Sequence, residues 1–285
     1  MIVISGSASG MLSRALAQEL GAVYGDVEVK RFPDRECYVR VLSDVRDQDV
    51  VIVQTTYPDE NLVEYMLLKD AVIRGGASRI ISVVPYMGYA RQDKIFKDGE
   101  ALSAQVVAHQ IQDGSAAFIT VDIHTVKILD WFTIPSMNVS LMKEIGEHFR
   151  GMGVDMVLAP DRGALDRAHS VAQVLDVPWD NLEKTRLDGE TVVMAPKKLD
   201  VQGKHVLIVD DIISTGGTIA RASEALRSQG AARISVSCTH GIFAGGALER
   251  LQDELDNLVS SDTVEQPTSR ITAARAVAEA IREIK

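Results

Sequence analysis

The chain has 285 residues, of which 46% are hydrophobic and 25% are charged, and its formal net charge is −10. This composition is typical of globular proteins and supplies enough apolar sequence for a core. The acidic balance, without a basic stripe, argues against nucleic-acid binding. The sequence has no apolar run of about 18 residues, so no membrane-spanning helix is predicted. The N-terminal segment MIVISGSASG does not resemble a signal peptide, and a cytoplasmic location is expected by default.

Short apolar runs alternate with helical patterns along the chain. The runs that predict strands are Ile2–Ile4, Val27–Val29, Val50–Val53, Ile80–Val84, Phe118–Val121, Met156–Leu158, Val206–Val209 and Ile234–Ser237. Apolar residues at helical spacing form three sets: Leu62, Tyr65, Met66, Val72 and Ile73; Ile219, Ala222 and Leu226; and Ile271, Ala274, Ala278 and Ile281. This alternation predicts an α/β fold with mainly parallel sheets flanked by helices.

An internal repeat relates residues 49–84 to residues 205–237. Each copy has an apolar strand, a helix, and a Gly-Ala-x-Arg-Ile step into the next strand. The repeat predicts two similar domains, 1–145 and 146–285, with Gly151-Met-Gly153 as a helix end near the junction. The last helix is a candidate to pack back on the first domain. Only the second copy has paired aspartates and a glycine-rich loop, so only that copy is expected to bind a ligand through this element.

The two cysteines, Cys37 and Cys238, are too few for a disulfide framework and lack metal-ligand spacing. Both lie in strand-like contexts. The simplest interpretation is that each is a small buried apolar residue.

Paired carboxylates follow the predicted strand Val206–Val209. Asp210 and Asp211 come at its carboxyl end, where ligands bind in open α/β sheets. Adjacent carboxylates would repel a phosphate, so we expect them to bind vicinal sugar hydroxyls, alone or with a divalent cation.

The glycine-rich loop Ser214–Thr218 follows this strand and opens a helix near Ile219. Glycines allow close approach of the backbone to a ligand and unusual φ values. The free N–H groups of a first helical turn attract an anion. Together with the carboxylates, the loop predicts a site for a phosphorylated ribose, and a capped βα turn is the structural alternative. The loop donors are Ser214, Thr215, Gly216, Gly217 and Thr218.

The segment VDDIISTGGT resembles the phosphoribosyl diphosphate loop of the type I phosphoribosyltransferase fold. Other segments resemble, in the same order, those of the ribose-phosphate diphosphokinase family. They are Arg31–Glu36, Tyr89–Asp93, Val121–His124, Trp131–Pro135, Ala159–Gly163, Lys184–Arg186, Thr239–Phe243 and Ser261–Thr263. The resemblance implies two phosphoribosyltransferase-like domains. It also implies transfer of the diphosphoryl group of ATP to the C1 hydroxyl of ribose 5-phosphate, giving phosphoribosyl diphosphate and AMP.

The resemblance also assigns the ATP site. It implies that Phe32 stacks on adenine, that the nearby carboxylates contact its amino edge or the ribose, and that Arg91 pairs with phosphate. In the family the Phe-containing segment reaches the ATP site of a neighbouring subunit, which implies a homo-oligomer. A plain β-hairpin turn is the alternative for this segment. The implied ATP-binding residues are Phe32, Asp34, Glu36, Arg91, Gln92 and His124.

Lys184 and Arg186 are the implied catalytic residues. Two apart on an extended segment, they would project to one side and could clamp the β- and γ-phosphates, whereas a solvated loop pair is the alternative. The resemblance implies Mg²⁺, with His124 and Asp161 as candidate ligands. Because Mg²⁺ prefers oxygen, an outer contact to the metal or a contact to the β-phosphate is the competing role for His124.

The chain departs from the family pattern at three places. Ser214 stands where many relatives carry Asp, which removes a carboxylate near the reacting C1 oxygen. Arg35 stands where Gly is common, and Lys94–Ala101 differs from the usual basic loop. Parts of the family are regulated by phosphate or nucleoside diphosphates. Because of the last departure, this regulation is not expected to carry over to this chain unchanged.

Two alternative functions remain open from the sequence. A phosphoribosyltransferase that uses phosphoribosyl diphosphate would share residues 206–219 but would not need two ATP-like segments. A non-catalytic regulator associated with the synthetase would be expected to lose charged site residues, and this chain retains them.

Overall fold

The computed structural model describes residues 1–182, 184–186, 192–194 and 199–284, without the side chains of 184–186 and 192–194. The chain divides into two compact units. Unit 1 comprises Met1–Ser140, Asp262–Glu265 and Thr272–Lys285. Unit 2 comprises Leu141–Ser261 and Gln266–Ile271.

Unit 1 is built on a parallel sheet with a separate hairpin. In chain order its strands are β1 (Ile2–Ser5), β2 (Val23–Gly25), β3 (Val27–Arg31), β4 (Cys37–Val41), β5 (Asp49–Val53), β6 (Arg79–Val84), β7 (Ala117–Val121) and β8 (Ser136–Val139). Six of them form the parallel sheet in the order β2-β1-β5-β6-β7-β8. Strands β3 and β4 pair antiparallel as a two-stranded hairpin.

Unit 2 has the same plan. Its strands are β9 (Met156–Ala159), β10 (Trp179–Asn181), β11 (Lys184–Arg186), β12 (Val192–Met194), β13 (His205–Ile213), β14 (Arg233–Gly241), β15 (Asn257–Ser261) and β16 (Ser269–Ile271). The parallel sheet has the order β10-β9-β13-β14-β15-β16, and β11 pairs antiparallel with β12. Over the part of the chain that the structure describes, both units therefore share one topology, which confirms the predicted fold class.

Seven of the eight α-helices of the described residues lie between strands in sequence, and the eighth follows the last strand. The eight helices are α1 (Gly10–Leu20), α2 (Asp59–Arg74), α3 (Ser103–Gln112), α4 (Met142–Phe149), α5 (Leu165–Leu175), α6 (Gly217–Ser228), α7 (Ala247–Glu254) and α8 (Ala274–Glu283), with short 3-10 turns at Val126–Trp131 and Arg162–Ala164. Helix α8 belongs to unit 1, where it packs against α1 and β7. None of the helices in the described ranges is long and apolar enough to cross a membrane.

The predicted strands are all found, but one has a different role. Strands β1, β5, β6 and β7 of unit 1 and β9, β13 and β14 of unit 2 are buried along nearly their whole length, as fully apolar runs predict. The run Val27–Val29 instead lies in the antiparallel hairpin, where it is only partly buried.

Two of the predicted helical sets need correction. Ile73 is 46% exposed at the end of α2, although Tyr65 and Val72 of the same set are fully buried. Ile271 is buried but ends strand β16, so the helical set begins at Ala274. The set on α6 is buried as predicted.

Candidate active site

The candidate ribose-phosphate loop of unit 2 follows a longer strand than the sequence suggests. Strand β13 continues through both aspartates to Ile213 because it stays paired with β14, with Asp210 opposite Cys238 and Ile213 opposite Gly241. The loop is therefore short, and helix α6 begins at Gly217 rather than near Ile219.

Gly216 provides the turn between strand and helix. Its φ of +71° is in the left-handed region that favours glycine, and an added Cβ would lie 2.8 Å from Leu251 Cδ1. Gly217 has an ordinary helical φ, so the expectation of an unusual backbone there is wrong. A Cβ on Gly217 would meet only Arg221 Nη1, at 3.6 Å.

Neighbouring backbone and side chains hold the loop from its carbonyl side. The N–H groups of Ile242 and Phe243 donate to the carbonyl of Ile213 at 3.0 and 3.1 Å, and that of Ala244 donates to Ser214 at 3.0 Å. The Arg250 guanidinium donates to the carbonyl of Thr215. These hydrogen bonds engage carbonyl groups of the loop, and the N-terminus of α6 that follows it is the candidate anion-binding element.

The two aspartates lie in a desolvated, electrostatically strained position. Asp211 is 5% exposed, and its backbone N–H donates to Asp210 Oδ1 at 2.9 Å. Burial raises the pKa of Asp210 well above its ordinary value, and the charge of Asp211 raises it further. Hydroxyl donors or a cation would relieve this repulsion, so the pair is suited to a diol with a metal.

Arg167 was not singled out from the sequence, yet it contacts both halves of this site. From α5 its Nη2 donates to Asp211 Oδ2 at 3.1 Å, and its Nη1 donates to the carbonyl of Gly163 at 3.3 Å. It thereby links the aspartate pair on β13 to the turn that follows β9. No local motif marks Arg167. Its role depends on contact with Asp211, which is 44 residues away in the sequence.

Asp161 lies just beyond strand β9 and begins that turn. Its Oδ1 accepts a hydrogen bond from the Gly163 N–H at 2.9 Å, which caps the 3-10 turn. Because β9 and β13 are neighbouring parallel strands, Asp161 lies at the same sheet edge as Asp210 and Asp211. The described residues do not themselves form a cluster of three or more metal-ligand side chains.

The predicted catalytic pair lies on the unit 2 hairpin. Lys184 and Arg186 are the ends of β11, whose backbone pairs with Met194 and Val192 of β12. The extended backbone is as predicted. Their side chains lie outside the described part of the chain.

The candidate adenine-binding segment of unit 1 is the turn of the β3–β4 hairpin. The hairpin turn that was the alternative interpretation of this segment is therefore found. The Phe32 N–H donates to the Glu36 carbonyl at 2.9 Å, and Asp34 Oδ1 accepts from the Glu36 N–H at 3.1 Å. Arg35 has a φ of +72°, a conformation that favours glycine. Phe32 is 49% exposed, so its ring is available for stacking.

The other candidate ATP residues follow neighbouring strands of the unit 1 sheet. Arg91 and Gln92 come after β6, and His124 comes after β7, so they approach one edge of the sheet. Gln92 is held in place because its side-chain amide donates to the Lys94 carbonyl at 3.1 Å. Arg91 and His124 are both exposed, so each is accessible to a ligand.

Family comparison covers both units. Residues 1–114 match the family model for the N-terminal domain of ribose phosphate pyrophosphokinase, and residues 135–269 match that of the phosphoribosyl transferase domain. A ribose-phosphate pyrophosphokinase of Methanopyrus kandleri is 42% identical, over 100% of this chain and 99% of that protein. One of Thermococcus kodakarensis is 46% identical, over 88% of this chain and 90% of that protein.

A solved structure supports the same assignment. The crystal structure of phosphoribosylpyrophosphate synthetase from Mycobacterium smegmatis has a TM-score of 0.82 and 30% identity, covering 99% of this chain and 98% of that chain. These matches confirm the predicted fold and the prediction that the protein is an enzyme of nucleotide-precursor synthesis. The chain belongs to the ribose-phosphate pyrophosphokinase family.

Proposed function

We propose that this chain carries out the reaction of its family, with residues of unit 2 binding the acceptor sugar and residues of unit 1 binding ATP. The diphosphoryl group of ATP passes to the C1 hydroxyl of ribose 5-phosphate, giving phosphoribosyl diphosphate and AMP. The observation that carries the acceptor half is the Asp210–Asp211 pair beside the turn at Gly216 and the start of α6. ATP and ribose 5-phosphate are solutes of the cytoplasm, which supports the predicted location.

The acceptor half divides ribose 5-phosphate between two kinds of group. The 5-phosphate binds the N–H groups at the start of α6, where the helix dipole and the hydroxyls of Ser214, Thr215 and Thr218 favour an anion. The ribose diol donates to the carboxylates of Asp210 and Asp211. Local dipoles have to achieve this binding because the net charge of −10 opposes phosphate overall.

The donor half binds ATP through unit 1. Phe32 stacks on the adenine, Asp34 and Glu36 contact its polar edge or the ribose, and Arg91 pairs with phosphate, helped by Gln92. A homo-oligomer in which the hairpin turn serves the ATP site of a neighbouring subunit completes the proposal, and the exposed ring of Phe32 supports it.

Lys184 and Arg186 stabilise the charge that develops on the transferring group. Attack occurs at the β-phosphorus, and negative charge accumulates on oxygens that fixed cations can stabilise without reorganisation. Ser214 replaces the carboxylate that many relatives have near C1. Activation of the C1 hydroxyl therefore rests on Asp211 and the electrostatics of the site.

The unit 2 carboxylates suit a magnesium ion that is held partly by the substrates. Asp161, Asp210 and Asp211 are oxygen donors at one sheet edge but do not form a three-ligand cluster, so one or two of them would share the ion with phosphate and water oxygens. Bound Mg²⁺ would neutralise phosphate charge and orient the polyphosphate. His124, an imidazole, fits Mg²⁺ less well than these carboxylates, and we assign it to the β-phosphate.

One assay tests the reaction against its rivals. Purified protein is incubated with Mg²⁺, ATP and ribose 5-phosphate, and AMP and phosphoribosyl diphosphate are measured, with Lys184→Ala as the control variant. Equal amounts of both products support the proposal. Consumption of phosphoribosyl diphosphate with a purine or pyrimidine base would favour a phosphoribosyltransferase. Nucleotide binding without turnover, equal to that of the control variant, would favour a regulator.

A further inference from the structure

Glu64 is a fully buried carboxylate that the proposed chemistry does not use. It lies on α2 with 0% of its surface exposed. Burying a charge is costly unless it is paired and hydrogen-bonded. A neutral side chain of this size could fill the same space, so the retained charge calls for a reason.

Both carboxylate oxygens of Glu64 hold other segments of unit 1. Oε1 accepts from the Ser7 N–H at 2.6 Å and from Gln54 Nε2 at 3.1 Å. Oε2 accepts from the Ser7 hydroxyl at 2.8 Å and from Arg31 Nη2 at 3.3 Å. One side chain therefore joins α2 to the loop after β1, to the end of β5, and to the hairpin.

The contact with the hairpin comes immediately before the candidate adenine-binding residue. Arg31 is the last residue of β3 and precedes Phe32. Its Nη2 also donates to the Glu60 carbonyl at 3.3 Å, so the guanidinium bridges two positions of α2. A second pair, Arg35 with Glu60 at 2.7 Å, lies on the exposed surface and is expected to contribute little.

We propose that Glu64 is a positioning residue for nucleotide binding: through Arg31 it sets the orientation of the turn 32–36 on α2. The inference rests on the proposed assignment of that turn to the ATP site. The turn closes a two-stranded hairpin that is separate from the main sheet, and a hairpin of two strands is only marginally stable unless other elements hold it. The charge-assisted hydrogen bond between Glu64 and Arg31 restrains the turn directly beside Phe32, the residue proposed to stack on the adenine.

The variants Glu64→Gln and Arg31→Met test the anchor from both sides. Glutamine keeps the size of Glu64 but presents an amide donor to Arg31, and methionine keeps the stem of Arg31 without its charge. Asp70→Asn is the matched control, because Asp70 forms an exposed ion pair with Arg74 at the far end of the same helix. Binding of Mg-ATP and of ribose 5-phosphate to the full chain is measured separately by titration calorimetry.

We expect Glu64→Gln and Arg31→Met each to weaken ATP binding roughly 10- to 100-fold, because the turn is misplaced. Ribose 5-phosphate binding should stay within about twofold in both, and the double variant should lose less than the product of the single losses. Asp70→Asn should bind both ligands as the unmodified protein does. If Glu64→Gln does not fold, Arg31→Met decides the matter, because Arg31 is 36% exposed.

The inference is overturned if Arg31→Met binds ATP normally, or if both ligands are weakened equally, as a general loss of structure would produce. The titration measures ligand binding and not turnover. Failure of the inference about Glu64 can therefore be distinguished from failure of the proposed reaction. Normal ATP binding by the unmodified protein with no AMP formed would reject the reaction and leave the role of Glu64 intact. The titration measures the contribution of the turn to ATP affinity, whether the turn contacts ATP bound to its own subunit or to a neighbouring one.

Discussion

Arg167 and Asp211 form an ion pair between α5 and β13, with 3.1 Å between Nη2 and Oδ2. Their side chains are 21% and 6% exposed, so water screens the pair only weakly. Arg167 is also bound to the turn that contains Asp161. The pair therefore links one carboxylate of the proposed ribose site to the turn that contains Asp161.

Replacing Arg167 with glutamine should weaken ribose 5-phosphate binding and stability together. Asp211 would lose its cation while remaining buried beside Asp210, at a cost of about 1–3 kcal/mol in unfolding free energy. Chemical denaturation and titration with ribose 5-phosphate measure the two effects. Arg275→Gln, which breaks an exposed pair with Glu279, is the control and should change neither. Unchanged sugar binding in Arg167→Gln would contradict the positioning of Asp211.

Asp210→Asn should stabilise the ligand-free protein while abolishing ribose 5-phosphate binding. The pKa of Asp210 in the folded state is raised above its ordinary value of 3.8. At a pH between the pKa of the unfolded chain and that of the folded state, the folded state therefore binds more protons. Stability is therefore lost as the pH rises through that window, and the penalty is complete above it.

The asparagine variant removes this penalty, so its advantage in unfolding free energy should be about 1–3 kcal/mol at pH 8 and smaller at pH 5. Denaturant unfolding at the two pH values, without Mg²⁺, measures it. Asp200→Asn, at an exposed position, should show no comparable gain. A gain that is the same at both pH values would show that charge repulsion is not the cause.

The two loop glycines should respond differently to alanine. Gly216→Ala forces a left-handed residue and a contact with Leu251, so we expect a loss of about 1–2 kcal/mol in unfolding free energy. Gly217→Ala has neither problem and should change stability by less than about 0.5 kcal/mol. Thermal or denaturant unfolding of the pair checks this. Equal losses in both would mean that the turn does not depend on the φ of Gly216.

Lys184→Ala should depress turnover far more than sugar binding. The lysine is proposed to contact the transferring group, so its loss is expected to lower kcat by about 100-fold or more while the dissociation constant of ribose 5-phosphate stays nearly constant. Steady-state kinetics with AMP as the product, together with direct titration of the sugar phosphate, provide both values. A weakened sugar affinity at unchanged kcat would refute the catalytic role.

The sequence by itself determined the class of fold and the position of the glycine-rich loop that is the candidate ribose-phosphate site. Interior strands such as β5, β7 and β13 are buried on both faces and so read as continuous apolar runs. The strands without such a signal include the four sheet edges, β2, β8, β10 and β16, which are short and only partly apolar because one side of each lacks a neighbouring strand. The glycine of the loop was predictable because a left-handed φ leaves few other choices.

Only the tertiary structure decided which charges meet. Arg167 reaches Asp211 on β13 from helix α5, and Glu64 reaches Arg31 across 33 residues. Neither pairing has a local sequence pattern. The extension of β13 to Ile213 likewise depends on pairing with β14. Hydrophobic periodicity in the sequence reflects the burial of individual residues. An ion pair instead depends on two elements that packing brings together. Those pairings connect β13 to α5 in unit 2 and the β3–β4 hairpin to α2 in unit 1.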